Sequence, residues 1–121
     1  MFKNEWWCNQ RKLKDVKLLL KKSSLIIALI DQDKNRLAAF CRVLTDQMYK
    51  ALILDVIVQK DYRGKGLANR LFAEINNASE LSNVKHFELY CLPDKENFYK
   101  KFGFTSDLNN FVFMRSTELL V

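Results

Sequence analysis

Glycine and proline are scarce, with three and one in 121 residues, too few for a disordered or collagen-like chain. Histidine occurs once, as His86, and there is no C-x-x-C pair, so a zinc site lacks its usual ligands and no metal is expected. No apolar run nears the ~18 residues that cross a bilayer, which excludes a membrane-spanning helix. Met1 to Trp7 lacks the charged start, apolar middle and small-residue cleavage site of a secretory leader. The expectation is a soluble chain in the cytoplasm. The three cysteines, Cys8, Cys41 and Cys91, are odd in number and have no paired spacing, which points to reduced thiols, not a disulfide framework. Cys41 and Cys91 sit in strand-like runs and read as small buried hydrophobes.

What is present is apolar matter enough for a core. Hydrophobic residues make up 49% of the chain, and this length suits one domain, residues 1–121. The net charge of +6 favours acidic partners. Lys12, Lys14, Lys17, Lys21 and Lys22 fall in one helical segment, the usual look of a solvated face. Without regularly interleaved aromatics to stack bases, nucleic acid is not an expected partner.

Hydrophobic periodicity divides the chain. Residues 8–22 read as an amphipathic helix with Leu13, Val16, Leu19 and Leu20 on one side. Residues 24–30, 37–45 and 49–59 read as three strands, with turns at 31–35 and 46–48. Residues 66–79 form a second helix, with Leu67, Leu71, Ile75 and Ala78 on its face. Residues 86–92 make a fourth strand. Pro93 and Asp94 start a third helix, Asp94 capping it, and Gly103 stops it at C′. Residues 111–115 make a last strand. This order predicts a mixed α/β fold around one central sheet, mostly antiparallel and flanked by helices.

The most informative stretch runs from Val58 to Ala68. An apolar strand ends in Arg63-Gly64-Lys65-Gly66, and a helix opens at once. Glycines let backbone approach a ligand, and first-turn N–H groups of a helix lack intrahelical partners. Arg63 and Lys65 add positive charge, so this loop suits a phosphorylated ligand. The strand at 52–58 carries apolar residues on both faces and should be central. Asp55 interrupts one face. Two readings stand side by side: a structural pair with Arg42 on the neighbouring strand, and a carboxylate turned toward a substrate.

Arg63-Gly64-Lys65-Gly66-Leu67-Ala68 fits the Arg/Gln-x-x-Gly-x-Gly/Ala signature of the GCN5-related N-acetyltransferase (GNAT) superfamily. Phe98-Tyr99-Lys100-Lys101-Phe102-Gly103-Phe104 resembles the Phe-Tyr-x-x-x-Gly-Phe segment that closes the same fold. With Arg42 to Asp46 and Leu54 to Val58, the resemblance covers roughly residues 6 to 104.

The resemblance implies transfer of an acetyl group from acetyl-CoA to a primary amine of a small molecule or protein. It implies a CoA pyrophosphate on the backbone of Arg63, Gly64, Lys65, Gly66, Leu67 and Ala68. A pantetheine arm would run beside Val56, Ile57 and Val58 like an added strand, between strands 52–58 and 86–92 splayed apart. A backbone N–H near Val56 would meet the developing negative charge. Tyr99 would be the acid for the leaving thiolate, Phe98 a neighbour of the cofactor, and Asp55 an orienter or base for the amine. A CoA-binding module without catalysis is the alternative.

Two departures from the family pattern stand out. The strand that members carry ahead of Glu5 has no counterpart, so strand 24–30 would be an open edge, covered by Phe2, Trp6 and Trp7 or by a second copy in a homodimer. The position where many members hold a CoA-contacting asparagine falls near Leu92, and Asn97 is no obvious replacement.

Overall fold

The computed structural model describes residues 12–118. These form two compact units, divided between Leu89 and Tyr90. The first unit contains α1 (Leu13–Lys22), β1 (Leu25–Asp31), β2 (Arg36–Thr45), β3 (Lys50–Val58), α2 (Leu67–Asn77) and β4 (His86–Glu88). The second contains a single 3-10 turn at Pro93–Lys95 and α3 (Glu96–Lys100). Among the described residues no helix is long and apolar enough to cross a membrane.

The sheet has the order β1-β2-β3-β4. Both early connections are antiparallel, and β4 joins β3 in parallel. Turn chemistry sets the hairpins. Asp46 Oδ1 accepts the N–H groups of Met48, Tyr49 and Lys50 at 2.8–3.1 Å, folding the β2–β3 turn around one carboxylate oxygen. Asp31 Oδ1 does the same for Asp33 and Lys34 in the β1–β2 turn.

Packing falls on α2, which meets β1, β2 and β3 and buries Leu71, Phe72 and Ile75. Each such side chain contributes about 1.5–3 kcal/mol. The expected helix at 8–22 is seen from Leu13; its first residues, like Cys8, Phe2, Trp6 and Trp7, lie outside the described residues. Leu13, expected on the apolar face of α1, is exposed, and α1 has no buried residue. β3 lies inside the sheet, between β2 and β4, as expected, but its residues alternate between buried and half-buried, whereas in β2 Ala38, Ala39, Phe40 and Cys41 are buried in succession. An irregularity at Leu29/Ile30 leaves Ala38 without an opposite residue, and such a bulge breaks strict alternation.

Four other expectations are corrected. The strand expected at 86–92 stops at Glu88, where its parallel neighbour is lost. The strand expected at 111–115 does not form. Phe111, Val112, Phe113 and Met114 are all exposed, with no ladder among the described residues to hold them extended. The third helix splits into the 3-10 turn and α3, and Asp94 makes no side-chain cap, because Pro93 sets the start and Asp94 falls inside the first turn. Cys91, placed beyond the end of β4, is exposed while Cys41 is buried. Gly103 does close the helical segment, at φ 92.

Candidate active site

The glycine loop grows directly from the end of β3. Gln59 N–H donates to Ala38 O, Tyr62 N–H to Gln59 O and Arg63 N–H to Lys60 O, winding residues 60–62 into one 3-10 turn. Gly64 and Gly66 then both take φ 77, the left-handed region that side chains resist. A Cβ on Gly64 would meet nothing within 4 Å, and one on Gly66 only the end of Asn69 at 4.0 Å. These glycines serve backbone conformation and leave the space in front of the loop open.

Gly66 is also the N-cap of α2, with no side-chain cap. The helical ladder begins with Arg70 N–H to Gly66 O at 3.2 Å. The N–H groups of Leu67, Ala68 and Asn69 therefore point out of the first turn with the positive end of the helix dipole behind them. Lys60, Arg63 and Lys65 add formal positive charge to the segment that leads into this terminus. This donor set, made of backbone N–H groups and cations with two bare glycines, fits a phosphate ester.

The loop is also fastened to its surroundings. Arg63 Nε donates to Val58 O at 3.0 Å, so this side chain folds back on the strand it follows. Tyr62 donates its hydroxyl to Asp31 Oδ2 at 2.5 Å. Asp61 pairs with Arg36 at 3.1 Å. The Arg36 guanidinium and the Lys65 ammonium lie 5.4 and 5.7 Å from the Tyr62 ring centroid. The shared proton lowers Asp31 and raises Tyr62 from their ordinary values.

Beside the loop, β3 is left open along one flank. Its parallel pairs with β4 are Lys50↔His86, Ala51↔Phe87 and Leu52↔Glu88, and the ladder ends there. Val56 to Val58 have no strand neighbour on that side among the described residues. Against β2, the register shifts between Phe40 and Arg42, which face Ile57 and Leu54. Two residues, Asp55 and Val56, thus stand against Cys41. Asp55 takes the extra place at φ 54, as a short polar residue can, and a bulged strand bends. The splaying of strands 52–58 and 86–92 expected from the sequence is replaced by an early end of β4 at Glu88, which leaves the later part of β3 unpaired on that side; the bulge in β3 was not anticipated.

Asp55 is buried. Its Oδ2 accepts from Arg42 Nε at 2.7 Å, and Arg42 Nη1 reaches the Ser23 hydroxyl at 3.5 Å, which itself donates to Leu19 O. Arg42 also helps floor an open groove of about 550 Å³ between α1 and β2, lined with Asp15, Leu18, Leu19, Lys22 and Leu44. Ser23 has no signature in the sequence that would have marked it.

In the second unit, Tyr99 is half-buried on α3. Its ring stands edge-on to Phe98 and Phe104 at 5.1 and 6.3 Å, and Phe98 packs on Phe102 at 5.4 Å. Phe98 and Phe102, one helical turn apart, pack on each other, and Tyr99 shares their cluster.

The family model of the acetyltransferase (GNAT) domain matches residues 21–106. The chain is similar to the uncharacterized N-acetyltransferase ycf52 of Pyropia yezoensis, 37% identical over 100 residues covering 81% of this chain and 58% of the relative. It is 35% identical to ycf52 of Porphyra purpurea, with the same coverage. The chain thus spans 58% of the length of each of these relatives. Among solved structures, a GNAT-family protein from Xanthomonas campestris pv. campestris superposes with a TM-score of 0.79 at 25% identity, over 93% of this chain and 78% of that one. The sheet, the glycine loop and these likenesses agree: the chain belongs to the GNAT acetyltransferase family.

Proposed function

We propose that residues 1–121 act as one N-acetyltransferase domain, which moves an acetyl group from acetyl-CoA to a primary amine of a small molecule or protein. The carrying observation is the pairing of an open β3 flank with the uncapped start of α2 across the Gly64–Gly66 loop. Acetyl-CoA supplies a thioester already activated for attack by an amine. Backbone N–H groups of residues 63–68 hold its pyrophosphate, and Lys65 adds charge. Val56, Ile57 and Val58 offer backbone groups to the amides of its arm, as in strand addition, and Phe98 packs near it.

The chemistry assigned to this chain is proton management. A backbone N–H near Val56 stabilises charge on the carbonyl oxygen. As the new C–N bond forms and the C–S bond breaks, Tyr99 gives its phenolic proton to the departing sulfur. Asp55, oriented by Arg42, takes up the amine proton through water. The Arg42–Asp55 contact also favours a second reading, a CoA-binding module without catalysis in which that pair is only structural. A second copy of the chain is a further expected partner, met by the exposed Phe111–Met114 segment. The free Cys41 and Cys91 suit a reducing, cytoplasm-like compartment.

Thiol release from acetyl-CoA, followed with a panel of primary amines, tests this reading. Amine-dependent release is expected. CoA binding without release from any amine would instead support the non-catalytic module.

A further inference from the structure

The glycine loop is not only shaped by glycine; it is moored to a distant turn. Asp31 ends β1 and divides its two carboxylate oxygens. Oδ1 receives the N–H groups of Asp33 and Lys34, which fixes the β1–β2 turn. Oδ2 receives the hydroxyl of Tyr62, 31 positions along the chain. Arg36, at the other end of the same turn, pairs with Asp61 at 3.1 Å and sits 5.4 Å from the Tyr62 ring centroid. Two consecutive loop residues, Asp61 and Tyr62, are thus held by the two ends of one hairpin.

Tyr62 also reaches forward. Lys65 lies between the two left-handed glycines, and its ammonium stands 5.7 Å from the Tyr62 ring centroid. Arg70 is paired with Glu74, and Arg63 Nε is turned to Val58 O. Lys65 has no carboxylate partner among the described residues, so the aromatic ring is what restrains its charge beside the open loop.

We infer that Tyr62 is a positioning residue for the phosphate end of the acyl-donor site: it moors the Gly64–Gly66 loop to Asp31 and steadies Lys65 over its ring. This rests on the reading of the loop as the CoA phosphate site. A loop with two glycines in sequence position 64 and 66 has much backbone freedom to lose on binding. Mooring it beforehand removes part of that loss, the general gain from preorganisation. A moored loop serves phosphate contacts and has no bearing on the arm beside β3, so its effect depends on whether the ligand carries phosphates.

The test uses nitrogen-labelled full-length protein titrated by NMR with CoA and, separately, with pantetheine, which has no phosphate. Tyr62→Ala removes both the mooring bond and the ring. It should weaken CoA about tenfold, as loss of one hydrogen bond to a charged group and of the cation–π contacts with Arg36 and Lys65 suggests. Pantetheine affinity should stay within about twofold, the margin of a lost contact too weak to matter. Tyr62→Phe keeps the ring and cuts only the bond, and Asp31→Asn keeps the ring and replaces the charged acceptor with a neutral amide. They should give a smaller loss on CoA alone, and they carry the test if Tyr62→Ala does not fold. Equal weakening of CoA and pantetheine would make Tyr62 merely structural and overturn the inference. Unchanged CoA affinity in the Tyr62 variants, with CoA binding abolished by Gly66→Glu, would overturn it while leaving the loop reading intact. Unchanged CoA affinity in Gly66→Glu itself would remove the loop reading, and the inference with it.

Discussion

Arg42 donates Nε–H to Asp55 across 2.7 Å, and Asp55 holds that carboxylate from a backbone at φ 54. The side chains are 12% and 3% exposed, so both charges are largely withdrawn from solvent. Removing one partner leaves the other buried and unneutralised, at a cost of about 3–5 kcal/mol. Asp55→Asn should therefore lower the melting temperature whatever its chemical role. Amine kinetics on the same preparation separate the roles. A large fall in kcat/KM for the amine with CoA affinity kept is expected; a destabilised but fully active variant would leave the pair structural.

Tyr99→Phe keeps the ring that stands edge-on to Phe98 and Phe104 and removes only the hydroxyl. A positioned acid contributes ~10²–10⁴-fold. Single-turnover acetyl transfer should slow by at least the lower end of that range, with CoA binding nearly unchanged. An unchanged rate would remove Tyr99 as the acid.

Gly66 at φ 77 has room for a methyl group but not the conformational freedom to carry one. Gly66→Ala should lose roughly 1–2 kcal/mol of stability from left-handed strain, read by denaturant unfolding. A neutral result would mean that the loop relaxes to another shape.

Asp31 and Tyr62 give the mooring a pH window. Asp31, lowered first of all by the Tyr62 hydroxyl, contributes stability fully present above its ordinary value of 3.8 and lost as pH falls through its lower folded value. Tyr62, raised first of all by its bond to Asp31, contributes stability fully present below its ordinary value of 10.0 and lost as pH rises through its higher folded value. An alkaline ultraviolet titration should show Tyr62 ionising late. Asp31→Asn should bring it earlier; no change on that substitution would mean that the bond does not persist in solution.

Much of this architecture was legible because it is written in repeats of two and of about four. The β1–β2 hairpin, β3 and α2 follow from apolar periodicity, and the Arg63–Ala68 loop from glycine and charge. The bulge at Asp55 was not legible, because which residue takes an extra place depends on register against Cys41, a long-range matter. The early end of β4 follows from loss of its neighbour after Leu52, which no local propensity records. Phe111 to Met114 is apolar at every position, as a strand can be, but has no ladder to join among the described residues. Cys91 reads as buried only if β4 runs on to it. The Asp31–Tyr62 and Arg36–Asp61 contacts join segments some 25 to 31 positions apart through common polar residues that carry no motif.

The account stands most directly on one measurement, a titration of the wild-type protein with acetyl-CoA mapped residue by residue by NMR. Saturable shifts concentrated on the amides of Val56 to Val58 and Arg63 to Ala68 are predicted, since those backbone groups form the open β3 flank and the uncapped start of α2. Absence of binding, or shifts that leave both segments untouched, would contradict it.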